Sequence, residues 1–187
     1  MLSKSLKAIS RQKLERSELF DRLNSLRLES DQSIALVGAT ILEDSIKEAL
    51  YRDMRSMSAD EKARLFSNNG PIATFSSAIK IAYANEIIGV SAKKDLDLIR
   101  EIRNQFAHAI VSISFATPEI EVACANLTAP EKASVSKDWS RKNSRDRFLL
   151  TVWHLWPKLS VWASLRKNEK LSYNLFGGLK TRREEIE

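Results

Sequence analysis

The side chains able to move protons or attack a substrate are few. The 187-residue chain holds two histidines, His108 and His154, and one cysteine, Cys124. Imidazole acid–base chemistry must use one of those two histidines. A single Cys excludes an intrachain disulfide. Three Cys and His residues fall short of the four ligands of structural zinc, so no metal is expected, nor any small-molecule cofactor. The richest constellation surrounds His108. Asp97, Glu101, Asn104 and His108 recur at spacings of four, three and four. On a helix they share one face, opposite the apolar stripe Leu96, Ile99, Ile102 and Phe106. Arg100 and Arg103 flank that face. His108 can exchange protons near neutral pH, Arg103 can hold a phosphate oxygen with its forked donors, and Asn104 can orient the imidazole or the substrate. Such a group suits metal-independent RNA cleavage, in which the ribose 2′-hydroxyl attacks the adjacent phosphate. Arg103 and His108 stand about 140° apart around the helix. Their convergence needs the length of Arg103, or a second copy of the helix across a dimer axis. The plainer reading is a His favoured at a helix C-terminus by the dipole, with Arg103 bridging to a carboxylate.

His154 shares a face with Arg147, Thr151 and Lys158, which reads as a solvated basic surface. Cys124 lies among Val122, Ala123 and Leu127 and reads as a small core residue.

The elements that must carry these residues are helices. Five Gly and four Pro in the chain are far below the roughly 12% of an average protein. That scarcity disfavours turn-rich β architectures and predicts an all-α, multi-helix bundle. The pattern predicts an N-terminal helix over 3–29 and a more apolar central helix over 33–56. In the latter, Gly38 and Ala39 allow a neighbouring backbone close. Ser58-Ala59-Asp60-Glu61 has the form of a capping box, opening a short helix that ends near Phe66. After the turn Asn68-Asn69-Gly70-Pro71, a helix is expected over 72–88 with Phe75, Ala78, Ile79, Ala82 and Tyr83 inward, ended by Gly89. Ser91 is the expected cap of the helix over 92–109, which carries the His108 constellation and buries its stripe as far as Phe106 and Ile110. Val111–Phe115 alternates but is too short for a sheet of its own. Thr117-Pro118 should cap a helix of about ten residues, with Ile120 and Cys124 buried, and Thr128-Ala129-Pro130-Glu131 signals another start. The last long helix, over 144–167, bears Phe148, Val152, Leu155, Leu159 and Trp162 on one stripe and should kink at Pro157.

Charge divides the chain. The net charge of +6 comes from the end: residues 1–131 hold 17 basic and 18 acidic side chains, and residues 132–187 hold 13 and 6 with all four Trp. The domain expectation is therefore an N-terminal helix over 1–30, a helical core over 31–130, and a basic, Trp-rich helical extension over 131–187 that packs on the core. In the extension, Lys137, Trp139, Arg141, Lys142, Arg145 and Arg147 are the candidate nucleic-acid-binding residues, with cations for phosphates and an indole to stack on a base. The alternative is a solvated connection. No run of 18 apolar residues is present, and Met1–Lys7 lacks the apolar stretch of a signal peptide. The expectation is a cytoplasmic protein without a membrane span.

Three blocks resemble a known family. They are Leu28-Glu29-Ser30-Asp31 with Val37-Gly38-Ala39-Thr40-Ile41-Leu42-Glu43; Gly70-Pro71-Ile72-Ala73-Thr74-Phe75-Ser76 running to Ile81-Ala82-Tyr83; and Leu98 to His108 followed by Phe115 and Cys124-Ala125-Asn126-Leu127. In order and approximate spacing, over about residues 28–127, they resemble the mannitol operon repressor family. The resemblance implies a compact helical regulator of carbohydrate-operon expression, without a helix-turn-helix, acting through a protein partner. A second resemblance is to HEPN domains, marked by Arg, a polar residue, three residues and His; Arg103-Asn104-Gln105-Phe106-Ala107-His108 fits. It implies a dimer with the motif at its interface, Arg103 and His108 catalytic and Asn104 supporting. The leading expectation is a regulator that binds protein or nucleic acid, as a homodimer. The alternative is a metal-independent endoribonuclease, with a toxin role open to it.

Overall fold

The computed structural model describes residues 16–54, 56–67, 69–132, 143–165, 172–174 and 178–180. Their order is α1 (Arg16–Ser25), a 3-10 turn (Leu26–Leu28), α2 (Asp31–Asp53), α3 (Ala59–Phe66), α4 (Phe75–Ala84), α5 (Val90–His108), α6 (Pro118–Ala125), α7 (Ala129–Lys132) and α8 (Ser144–Leu165). A three-residue antiparallel ribbon comes last, with Tyr173 opposite Leu179. The architecture is all-α.

The core is built where α2 meets α8. Along α2, Ile34, Ala35, Ile41, Leu42, Ile46, Ala49 and Leu50 are buried. Along α8, Phe148, Val152, Leu155, Trp156, Leu159 and Trp162 join the same apolar cluster, together with the Leu96, Ile99, Ile102 and Phe106 stripe of α5. The C-terminal region thus contributes a wall of the core through α8. Gly38 makes the α2–α8 contact close. A Cβ there would lie 3.1 Å from Phe148 Cε1 and 3.2 Å from Val152 Cγ2. Gly38→Leu should therefore destabilise the fold by about 2–3 kcal/mol through overpacking. Gly38→Ala should be near neutral, because a gain of up to about 1 kcal/mol in helix propensity offsets the squeeze. Urea unfolding of the two variants checks this; equal stability of Gly38→Leu and wild type would show that the interface gives way freely.

Local signals set several helix starts. Ser30 caps α2, its Oγ accepting from Ser33 N at 3.2 Å. Ser58 and Glu61 form the expected capping box. Ser58 N and Oγ both donate to the Glu61 carboxylate, which holds its pKa below the usual value. α3 buries no residue of its own and is fastened by aromatic contacts. Phe66 meets Tyr51 edge-on at 6.3 Å, and Lys62 Nζ sits 3.3 Å from the Tyr51 ring centre.

Other boundaries differ from expectation, each for a local reason. Helix α1 ends at Ser25 and gives way to a 3-10 turn, while residues 3–15 of the expected 3–29 helix lie outside the described residues. α4 starts at Phe75 because Thr74 and Ser77 make a reciprocal capping box there, three residues beyond Pro71. It stops at Ala84, five residues before Gly89. Its closing turn places Glu86 at φ 57°, and Ile87 and Ile88 donate to Ala82 O. Those two isoleucines, 0% and 2% exposed, take the inward place expected of Tyr83, which is 40% exposed. Gly89 is the N-cap of α5 rather than the stop of α4, and Ser91 lies inside α5. Ile110 is fully exposed, because α5 ends at His108 and the chain leaves extended at Ala109. α6 has eight residues. Pro157 lies inside α8, which continues through it to Leu165.

Candidate functional site

The polar face of α5 is linked along its length. Lys93 Nζ donates to Asp97 Oδ2 at 2.8 Å, and Arg100 Nη2 to Glu101 Oε1 at 3.2 Å. Arg103 Nη1 donates to Asn104 Oδ1 at 3.0 Å. Arg103 Nη2 also lies 3.7 Å from Glu43 Oε2 on α2. The other oxygen of Glu43 meets Lys47 Nζ at 2.6 Å, and Lys47 donates to Ala73 O at 2.7 Å in the turn before α4. Glu43 is largely buried, with 16% of its side chain exposed. It balances both cations in a partly screened setting.

The three residues Arg103, Asn104 and His108 therefore divide. Arg103 and Asn104 form one unit, held towards α2. His108 ends α5 and is exposed, beside the exposed Ile110 and Val111. An incoming phosphate would have to compete with Glu43 for Arg103.

The basic run divides as well. Lys137, Trp139, Arg141 and Lys142 lie outside the described residues. Arg145 and Arg147, on the first turn of α8, face inward partners. Arg145 bonds Asp31 Oδ1 at 2.7 Å and the carbonyls of Arg27 and Glu29 at 3.0 and 2.6 Å. Arg147 bonds the carbonyls of Cys124, Ala125 and Leu127 at 3.0, 3.2 and 2.9 Å. These bonds occupy the donors that a phosphate would need. They also change the expected solvated face around His154. Thr151 is 0% exposed and donates to Arg147 O, and His154 Nε2 lies 2.6 Å from Lys158 Nζ.

Two carboxylates that sequence reasoning did not single out as partners hold the fold together. Asp31 accepts Phe115 N at 2.9 Å through one oxygen and Arg145 through the other, joining the starts of α2 and α8 to the loop before α6. Its place in the Ser30-Asp31-Ser33 capping cluster was the available signal. Asp95 is 1% exposed and accepts three bonds, from Thr128 N at 2.8 Å, Thr128 Oγ1 at 3.0 Å and Ala129 N at 2.8 Å. No spacing rule marks it, since its partners lie more than thirty residues away.

Cys124 is the expected core residue, buried and free. Burial pushes its thiol up to about 12, with Arg147 opposing and Glu121 adding to the rise. At pH 8 only about one thiol in ten thousand is then thiolate. Native protein should react with a disulfide-exchange reagent far more slowly than urea-unfolded protein. Equal rates would show that Cys124 is accessible.

Among the described residues no group of three or more His, Cys, Asp or Glu is placed to hold a metal ion, and no helix is long and apolar enough to cross a membrane. What the described residues present is a helical domain whose α5 polar face is internally paired. The fold is similar to that of a chain of the MtlR–HPr complex from Escherichia coli, which superimposes with a TM-score of 0.58 at 17% identity, over 74% of this chain and 95% of that one. No protein-family model matches the chain. No curated protein matches it either.

Proposed function

We propose that this protein is a regulator of the mannitol-regulator type that works by docking a small protein rather than by transforming a substrate. The observation that carries this reading is the likeness of fold to a protein whose structure is a complex with HPr. The paired state of the α5 face supports it. Arg103 is bonded to Asn104 and balanced by Glu43, an arrangement suited to a stable surface. A ribonuclease using Arg103, Asn104 and His108 would have to free Arg103 and bring a second motif across a dimer axis.

Calorimetric titration of HPr from the same genome into the purified full chain tests the reading. Binding in the micromolar range or tighter is expected, and no heat or co-elution at 100 µM, roughly −5.5 kcal/mol, would overturn it. In parallel, RNA incubated with the protein in EDTA should stay intact. Cleavage to cyclic-phosphate ends that His108→Ala abolishes would move the assignment to the endoribonuclease.

A further inference from the structure

Helix α3 is attached differently at its two ends. The C-terminal end is bound to the body of the protein. Ile72, buried in the core, donates its N–H to Leu65 O at 2.9 Å. Phe66 packs against the same core. Gly70 lies so close to the last turn of α3 that a Cβ there would run into the carbonyls of Arg64 and Leu65. The N-terminal end has no such tie. Its capping box closes between Ser58 and Glu61, within the helix itself. Among the described residues, Ser56 and Met57 make no hydrogen bond. Between the two ends little apolar surface holds α3 down, since none of its residues is buried. The contacts that fasten it to α2 converge on one ring. Lys62 Nζ sits 3.3 Å from the centre of Tyr51, and Phe66 meets that ring edge-on at 6.3 Å. Glu48 adds little: one oxygen stands 3.8 Å from Lys62 Nζ, and the other is taken by Arg52 at 2.7 Å. A half-exposed cation on a ring and one aromatic pair are weak beside a buried helix face.

We propose that α3 is a lid, hinged where Leu65 meets Ile72 and latched by Lys62 on the Tyr51 ring, which opens while the rest of the bundle stays folded and uncovers Tyr51 at the end of α2. Eight residues do not hold a helix in water without packing, so the lid melts as it lifts. Opening is then a local unfolding with its own low free energy, separate from that of the α2–α8 core. The hinge keeps the melted segment beside its seat, so closing needs only the one ring and its two partners. The lid stands independently of the protein-binding reading, and none of its measurements uses HPr.

Hydrogen exchange of the full chain, followed by mass spectrometry over a series of urea concentrations below the unfolding transition, tests this. Amides of α3 should exchange roughly a hundredfold faster than those of α2, yet slower than an unstructured peptide. Their rate should hardly change with urea, while that of α2 climbs, because a small opening exposes little surface. Lys62→Gln keeps the helix propensity and removes the cation, and should speed α3 exchange by roughly threefold. Tyr51→Leu removes both contacts and should speed it by roughly tenfold. Lys62→Arg keeps a cation on the ring and should restore the wild-type rate. Exchange in α5 should stay as in wild type throughout. If Tyr51→Leu lowers the melting temperature, Lys62→Gln alone decides. Exchange of α3 in step with α2, at the same urea dependence, overturns the lid. So does wild-type α3 that exchanges as fast as an unstructured peptide. A Lys62→Gln variant that leaves α3 unchanged, or speeds α5 equally, overturns the latch.

Discussion

Asp95→Ala is expected to destabilise the protein by about 3–4 kcal/mol. The carboxylate is 1% exposed and accepts two backbone N–H groups and one hydroxyl at 2.8–3.0 Å. Removing it strands the N–H of Ala129, itself 2% exposed, together with that of Thr128. Each stranded buried donor costs about 1–3 kcal/mol, and hydrogen bonds to a charged acceptor are the stronger kind. For a chain of this size the melting temperature should fall by about 10 °C. Asp95→Asn should recover about half the loss, since one amide oxygen can still accept. Thermal and urea unfolding of both variants measure this. A loss under about 1 kcal/mol for Asp95→Ala would mean that water reaches Thr128 and Ala129 freely.

Arg147→Met should cost about 3 kcal/mol, although it keeps much of the aliphatic length. The side chain is 12% exposed, and its guanidinium bonds three carbonyls at the end of α6 and beyond it. Helix C-termini leave such carbonyls without partners, and Arg147 supplies donors from another helix. Arg147→Lys should recover little, because one ammonium cannot reach three acceptors with the geometry of a fork. The two predictions are linked. Residues 124–129 are held from two sides, their carbonyls by Arg147 of α8 and their N–H groups by Asp95 of α5. The double variant should lose less than the sum of the single losses, since either change alone loosens the same segment. Additive losses would show that the two anchors act independently.

Much of the helical order was legible in the sequence. The Ser58–Glu61 capping box, the Thr117-Pro118 start, the apolar stripes of α5 and α8 and the closeness of α2 at Gly38 are local or periodic features, and the structure carries them. Tyr83 was not legible, because whether a residue at the edge of a stripe is covered depends on the path of the chain beyond the helix. In this fold Ile87 and Ile88 turn back and cover the core in its place. Of the candidate site, the sequence put Arg103, Asn104 and His108 on one helix, but not Glu43 beside Arg103. Arg145 and Arg147 read as surface cations, yet they bond backbone carbonyls about 20 to 118 residues away, and Arg145 also bonds the Asp31 carboxylate.

By itself the sequence determined the helical class, the order of most helices and the apolar stripes of α5 and α8, since these arise from spacing along the chain and from capping residues close by. Only the tertiary structure decided what the charged side chains do. A guanidinium or carboxylate finds its lowest free energy against whatever unsatisfied group the packing brings within reach. That is why Arg147 closes a helix end, Asp95 opens another, and Lys80 and Lys94 are left at the surface.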